Sequence, residues 1–442
     1  MPRTNSGGER NDEDMFVRRP ASHTQPENSG NRTDNPQAKA DYERRVAQVH
    51  RTVQNPANIE STPPKPVETK KRKAKNIDMV FLVVLIMLLG FGAVMNFSAS
   101  YAYATYKNLS SYYFLERQLM FIFFGFIAAA IVTLFPLETY KTVTFAVYGI
   151  AIILLLLVLV IGETHGGAKR WLNIPLLGQF QPSELGKTAV VMMLALYFSK
   201  FGDIAAGKNN KKAFLYGMII PGLILGIIGG IVAFEPHFSG LIIICCIGAT
   251  VMILGGTKMR FIIPIAIVAA IGIYIVIKFK NYALDRLDYW LDPWEDASGK
   301  GWQTIQGLYA IASGGLFGVG LGNSRQKYGY VSEPQNDFVF TIVCEELGFV
   351  GALIVILLFA VLIWRGFVIA RHAPSRFTSL IVYGLMTKVA IQVIFNIAVV
   401  TQLFPNTGIA LPFFSSGGTA MLMQMAEMGI VLSVSRYSNH RK

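Results

Sequence analysis

The sequence predicts an all-α, polytopic membrane protein with ten transmembrane helices and a long extracytoplasmic loop between the seventh and eighth. Three observations predict it. Hydrophobic residues make up 52% of the chain and charged residues only 15%, against about 25% charged in an ordinary soluble domain. The apolar residues gather into runs of the length that a hydrocarbon core of roughly 30 Å requires, about 20 residues each. Basic residues between the runs fall in alternate loops, as the bias of cytoplasmic loops towards Lys and Arg demands.

Residues 1–76 come first, with 15 Lys/Arg, 10 Asp/Glu, much Pro, Asn, Ser and Thr, and almost no apolar periodicity. Such a segment cannot bury enough surface to fold. It ends in KKRKAK against the first apolar run, and reads as a disordered cytoplasmic tail whose basic end orients the first helix. The formal net charge of +13 is thus a matter of membrane orientation, and no nucleic-acid partner is expected. No signal peptide is visible, because the first hydrophobic run starts near residue 77, too late and too long for one.

The membrane domain occupies 77–437. Its spans are expected at 77–97, 119–135, 144–162, 185–199, 214–233, 238–255, 261–277, 338–363, 378–403 and 409–435. Loop 200–213 carries Lys200, Lys208, Lys211 and Lys212 against Asp203. Loop 256–260 carries Lys258 and Arg260, loop 364–377 carries Arg365, Arg371 and Arg376, and the chain ends RYSNHRK. All fall on the side of the tail, so both ends, including 438–442, are expected in the cytosol. Cys245, Cys246 and Cys344 lie inside apolar runs without metal-ligand or disulfide spacing, and read as packing residues.

Residues 278–337 then form the longest connection, outside the membrane, with six basic and seven acidic residues. Loops of this length are functional or disordered as a rule, and this one is too rich in Trp, Tyr, Phe and Leu for disorder. Asp285, Asp288, Asp292, Glu295 and Asp296 recur at helical spacing until Pro293 interrupts. They read as a solvated face, as ligands for a divalent cation, or as a general acid or base beside the bilayer; spacing alone does not choose. The Gly-rich run ASGGLFGVGLGNS (312–324) has no GK[ST] and follows no strand, so it reads as flexible packing in a re-entrant segment rather than a nucleotide loop.

Ionisable residues inside spans are costly in hydrocarbon and line polar cavities. Glu184, Lys187, Glu345, Glu346, Lys388 and Glu427 therefore predict a cavity in the bundle. Lys187 near the outer face, with Lys169 and Arg170, makes a cationic rim suited to a diphosphate. An acidic outer loop, a basic rim and a hydrophobic body suit chemistry on a lipid-linked anionic substrate.

GAKRWLNIPLLGQFQPSELGK (167–187) resembles the G-A-x-R-W…Q-P-S-E-L-x-K signature of the SEDS family (shape, elongation, division and sporulation; FtsW, RodA and SpoVE). So do DPWEDASGKGWQ, GGLFGVGLGNSRQKYGY, NDFVFTIVCEELGFVGA (336–352) and NTGIALPFFSSGGT (406–419), with SAS (98–100) and FLERQ (114–118). The resemblance implies a peptidoglycan glycosyltransferase that polymerises lipid II on the outer face of the cytoplasmic membrane. It makes Asp296 the catalytic base, on the match of Pro293–Gln303 to P-x-x-D-x-x-G-x-G-Y-Q. It makes Arg170, Trp171, Gln181, Ser183, Glu184 and Lys187 substrate-binding candidates, and Glu295, Gln303, Asp337 and Glu345 loop and cavity candidates. The cofactor expectation is a divalent cation, Mg or Mn, and no organic cofactor. The expected partners are undecaprenyl-linked glycan, a monofunctional class B penicillin-binding protein and other division or sporulation proteins. Division or sporulation is favoured over elongation. The chain departs from the pattern at Trp302, Ala297, Asn336, His237 and Ser416, which leaves Asp296 and Lys187 in place. A lipid II flippase and a non-catalytic scaffold recruiting a transpeptidase are the alternatives.

Overall fold

The computed structural model describes residues 76–438 apart from 166–167, 175–177, 236, 266 and 268–288. In chain order the elements are α1 (Met79–Tyr106), α2 (Tyr113–Leu134), α3 (Leu137–Ile161), β1 (Glu163–His165), β2 (Ala168–Ile174), β3 (Gly178–Phe180) and α4 (Pro182–Ala206). Next come α5 (Asn210–Phe214), α6 (Ile220–Phe234), α7 (Phe238–Leu254), α8 (Trp302–Gly314), α9 (Val339–Arg371), α10 (Arg376–Val400) and α11 (Gly418–Ser435). Eight helices among the described residues are long and apolar enough to cross a membrane, with α5 and α6 counted as one, and α7 is a shorter apolar helix. The expected span 261–277 and the carboxylates Asp285 and Asp288 fall largely or wholly outside the described residues, as does the tail 1–75.

Three departures from the sequence reading have physical causes. The 163–180 connection is an antiparallel sheet of order β1-β2-β3 rather than plain loop. Backbone groups that cannot join a helix at the membrane face pair with one another instead. The last span begins at Gly418, not at 409. Pro412 and the Gly417-Gly418 pair oppose helix there, and 401–417 runs irregularly with Gln402 and Phe413 at positive φ. The Gly-rich run is fixed in place rather than flexible. Helix α9 breaks at Gly348, where φ is 66°, and the run fills the break. Val319 and Gly320 donate to the Glu345 and Glu346 carbonyls, while Phe349 and Val350 donate to Gly315 and Leu316.

A π-turn over Leu215–Ile219 joins α5 to α6. Pro221 has no N–H for the carbonyl of Gly217, four residues back, and Thr257 Oγ1 supplies the donor at 2.6 Å. Helices α2 and α11 meet through small residues, as helices without a hydrophobic driving force do. A Cβ on Gly429 would lie 2.7 Å from the Ala129 carbonyl, and Thr133 Oγ1 donates to Gly429 O at 3.1 Å. The outer faces of α2 and α3 present Phe123, Ile131, Ile153 and Val160 outward; α4, α10 and α11 are the most enclosed.

One end of the bundle collects the basic loops. Arg365 pairs with Asp78 at 2.9 Å and Arg376 with Asp203 at 2.6 Å, and Lys258 Nζ donates to Gly207 O at 2.7 Å. The sheet and residues 289–337 lie at the other ends of the same helices. That concentration of Lys and Arg is the charge bias expected of a cytoplasmic end. In a variant lacking the native cysteines, Ser298→Cys is expected to react with a membrane-impermeant maleimide on intact cells, and Lys208→Cys only after lysis. The reverse pattern would invert the topology.

Candidate active site

Irregular backbone at membrane depth survives only where protein satisfies it or a polar cavity borders it. Segment 401–417 meets both conditions. Asn96 Nδ2 on α1 donates to the carbonyls of Gln335 at 3.1 Å and Phe414 at 3.0 Å. Asn396 Nδ2 on α10 donates to Asp337 O and Ile409 O, both at 2.7 Å. Gly92 lets α1 approach closely, since a Cβ there would collide with the Phe413 carbonyl. Between this segment, the sheet and the start of α9 lies a cavity of about 750 Å³. Arg117 and Gln118 of α2, Arg170 and Trp171 of β2, and Gln181, His237, Glu333 and Asp337 line its wall.

The floor is a buried charge network. Glu184 and Lys187 line the cavity, and Lys187 Nζ lies 2.5 Å from Glu184 Oε1. Lys388 Nζ bridges Glu184 at 3.3 Å and Glu427 at 2.7 Å, and Thr188 Oγ1 donates to Glu427. Two ammonium groups thus face two carboxylates, with Lys187 2% and Lys388 0% exposed. Lys187 is therefore not a snorkelling rim cation. The sheet covers the outer end of α4, so this lysine is enclosed and its charge answered. Two further cations, Arg117 and Arg170, line the wall above this floor.

A second cavity of about 410 Å³ adjoins the first, lined by Tyr289, Trp290, Lys300, Gln303 and Asn406; Arg170, Asp337 and Gly408 line both. Arg170 and Asp337 thus stand at the seam. Gln303 is held in the smaller chamber, donating to Ser332 O at 3.1 Å and accepting from Asn406 at 3.2 Å.

The remaining sequence candidates separate. Arg170, Trp171, Gln181, Glu184, Lys187, Gln303 and Asp337 line one cavity or both. Ser183 is fully buried behind the wall, its Oγ 3.4 Å from His237 Nδ1. Glu345 is not a cavity residue. It is 1% exposed and accepts from Ser324 Oγ at 2.5 Å and Arg325 N at 2.8 Å, so it anchors the loop. Asp296 and Glu295 line neither cavity. Asp296 ends a short 3₁₀ turn (Pro293–Asp296) and its carboxylate accepts from Lys300 N at 2.9 Å, four residues before Thr304 of the smaller chamber. Asp292 caps the same turn through Trp294 N. The sequence reading missed Arg117 and Gln118 as site residues, although FLERQ contained both.

Among the described residues no three His, Cys, Asp or Glu side chains converge to hold a metal ion.

Two groups beside the wall have displaced proton affinities. Burial pushes the Glu235 carboxyl up to about 8, with the Arg170 guanidinium pulling the other way; among the described residues neither of its oxygens has a hydrogen-bond partner, and it is 1% exposed. Burial, reinforced by Arg170 and Lys187, holds the His237 imidazole down at about 3.

Comparison with known proteins agrees along nearly the whole described chain. The family model described as "Cell cycle protein", covering FtsW, RodA and SpoVE, matches residues 78–440. The chain is 37% identical over 384 residues to stage V sporulation protein E of Bacillus subtilis, covering 83% of this chain and 99% of that protein. It is 33% identical over 366 residues to a probable peptidoglycan glycosyltransferase FtsW of a Geobacter species, covering 82% and 98%. Among solved structures, a chain of a peptidoglycan synthase complex that coordinates polymerization and crosslinking superposes with a TM-score of 0.67 at 25% identity, over 81% of this chain and 98% of that one. The rod shape determining protein RodA of Thermus thermophilus shares the fold, with a TM-score of 0.60 at 24% identity over 83% and 98%.

Two predictions follow from the charges. Lys388→Met leaves two buried carboxylates short of a cation, which costs about 3–5 kcal/mol. A large fall in melting temperature in detergent is expected, partly recovered by adding Glu427→Gln; no recovery would mean the two do not pair. Between pH 6.5 and 8 the folded His237 is neutral, and in the unfolded chain, with its ordinary value of 6.5, it is at most half protonated and almost fully neutral by pH 8, too little to offset Glu235. Glu235 is ionised when unfolded but keeps its proton in the fold up to about 8, so the folded state binds more protons and stability falls as pH rises. Glu235→Gln should flatten that slope in melting temperature, and an unchanged slope would show that Glu235 is already ionised.

Proposed function

The chain belongs to the FtsW/RodA/SpoVE family of cell cycle proteins, and from that premise we propose that it is a peptidoglycan glycosyltransferase. It joins lipid II disaccharide units into glycan at the outer face of the bacterial cytoplasmic membrane, with both termini in the cytosol, in division or sporulation. The observation that carries this reading is the 750 Å³ cavity, which has a charge-balanced floor, guanidinium groups in its wall and a second chamber across the Arg170–Asp337 seam. One polar hollow for a diphosphate-linked sugar and a neighbouring one for the growing chain are what a lipid-linked polymerase needs.

In the reaction, the acceptor 4-hydroxyl attacks the donor's anomeric carbon as the bond to undecaprenyl diphosphate breaks. The hydroxyl proton passes to Asp296. An α-linked donor giving a β-1,4 product means one inverting displacement, with no covalent sugar–enzyme intermediate. Arg170 and Arg117 offset the charge building on the diphosphate. Asp296 is assigned as base by the Pro293–Gln303 motif, and as a loop residue anchored by its own turn it meets the acceptor at the edge of the smaller chamber. Asp337, at the seam, positions the sugars. The partner we propose is a monofunctional class B penicillin-binding protein that crosslinks the product.

The test is polymerisation of lipid II by the purified chain with its transpeptidase. Asp296→Asn should lower turnover about 10²–10⁴-fold with little change in KM, because the proton moves only in the transition state. Asp292→Asn should be mild. Loss of turnover in Asp337→Asn with near-full activity in Asp296→Asn would transfer the base to the seam. Lipid II transport across vesicles without any glycan would replace the reading by a flippase.

A further inference from the structure

One polar side chain in the cavity wall, Gln118, has needs that no group among the described residues meets. Gln118 is 5% exposed, lines the 750 Å³ cavity, and neither its amide nitrogen nor its oxygen has a hydrogen-bond partner. Both atoms are unfilled, so the observation does not depend on which way the amide is turned. Its neighbour Arg117 is engaged, donating to the Tyr113 hydroxyl at 2.8 Å. Elsewhere on the wall Gln335, 2% exposed, also has an unfilled side-chain oxygen. Buried carboxamides are normally satisfied, and one that borders a cavity is satisfied by what enters it.

The two unfilled atoms restrict what that is. A carboxamide oxygen needs a donor, and a deprotonated diphosphate has none to give; it goes to the guanidinium groups. A cation would take the oxygen but be repelled by the NH₂ group. The matching ligand is uncharged at this point and presents one donor and one acceptor side by side. Phe114 and Phe121 lie four residues before and three after Gln118, on the same face of α2, and both line the cavity. They offer apolar surface for the flat side of a ring next to the amide.

Resting on the glycosyltransferase reading, we propose that Gln118 binds the acetamido sugar of the substrate. Its oxygen accepts the 2-acetamido N–H, and its NH₂ donates to the adjacent C3 oxygen, a hydroxyl in one sugar of the repeat and an ether in the other. The residue is thereby a specificity determinant for 2-acetamido rings, separate from the groups that hold the diphosphate.

The test is a binding cycle with the full-length protein in detergent. Its arms are wild type and Gln118→Met, each titrated with lipid II and with a synthetic analogue bearing hydrogen in place of both acetamido groups. Binding is read rather than turnover, because removing the 2-substituent alters the reactivity of the anomeric carbon itself. Gln118→Met should weaken lipid II binding about ten-fold or more, the scale of a lost buried hydrogen-bond pair, and should weaken the analogue much less. Its melting temperature should hold or rise, because an unfilled amide has been removed; Gln118→Ala provides a second variant with the same expected pattern. Wild-type affinity in Gln118→Met, equal losses for both ligands, or a marked fall in melting temperature would each overturn the proposal. Polymerisation by the wild type is followed in parallel. Absence of glycan there would sink the glycosyltransferase reading, while the binding cycle would still decide the role of Gln118.

Discussion

Charge neutrality inside hydrocarbon is the constraint on which this bundle rests. Glu184, Lys187, Lys388 and Glu427 are each costly when ionised in a membrane interior, and they become tolerable as a set in which every charge has an opposite within hydrogen-bonding range. The set draws on α4, α10 and α11, so those three helices must face one another, and the remaining helices wrap around them. It also fixes the depth of the cavity. Glu184 and Lys187 form its floor, and Lys388 and Glu427 back them without lining the cavity.

A second buried cluster secures the outer layer in the same way. Lys327 Nζ donates to Glu346 at 2.9 Å, to Ser98 Oγ at 3.1 Å and to Gly322 O at 2.7 Å, and Ser98 Oγ donates to Glu346 at 2.7 Å. Glu345 holds the Ser324 hydroxyl and the Arg325 and Gln326 amides beside it. On the far side Trp290 and Gln402 exchange two side-chain-to-backbone bonds of 2.9 and 3.0 Å. The exposed turn around Asp296 is thus suspended between two fixed points. Local opening concentrates where few buried contacts oppose it, and this turn has few; Trp294, Glu295 and residues 297–300 are exposed.

Much of this was legible in the residues. Run length and loop charge identify spans because the bilayer imposes both, and ionisable residues inside spans announced a polar interior. What failed did so for definite reasons. The apolar content of 409–417 imitates a helix, since a buried irregular segment carries the same hydropathy as a buried helix, and only Pro412 and the glycines hint otherwise. Lys187 was read at the rim because its position in the chain marks the start of a helix. Whether strands fold over that start is a tertiary fact. Glu345 and Glu346 read alike with the cavity carboxylates, because sequence shows that a carboxylate is buried but not which backbone it binds. Gln118 escaped notice because a glutamine in an apolar helix carries no charge to flag it. The motif match for Asp296 is clear in the sequence, and its place outside both cavities is not.

The break at Gly348 bears on how such a chain can drift. The Gly-rich run is joined to α9 main chain to main chain, through the amides and carbonyls of residues that need supply no particular side chain. Selection on that junction therefore acts on the glycines, where a Cβ on Gly314, Gly318 or Gly348 would strike backbone. It leaves Leu316, Phe317 and Leu321, all turned outward, nearly unconstrained by the fold. The hydrophobic rim of the loop is in this sense a free parameter, which lineages with different lipids or neighbouring proteins can retune without disturbing the architecture beneath.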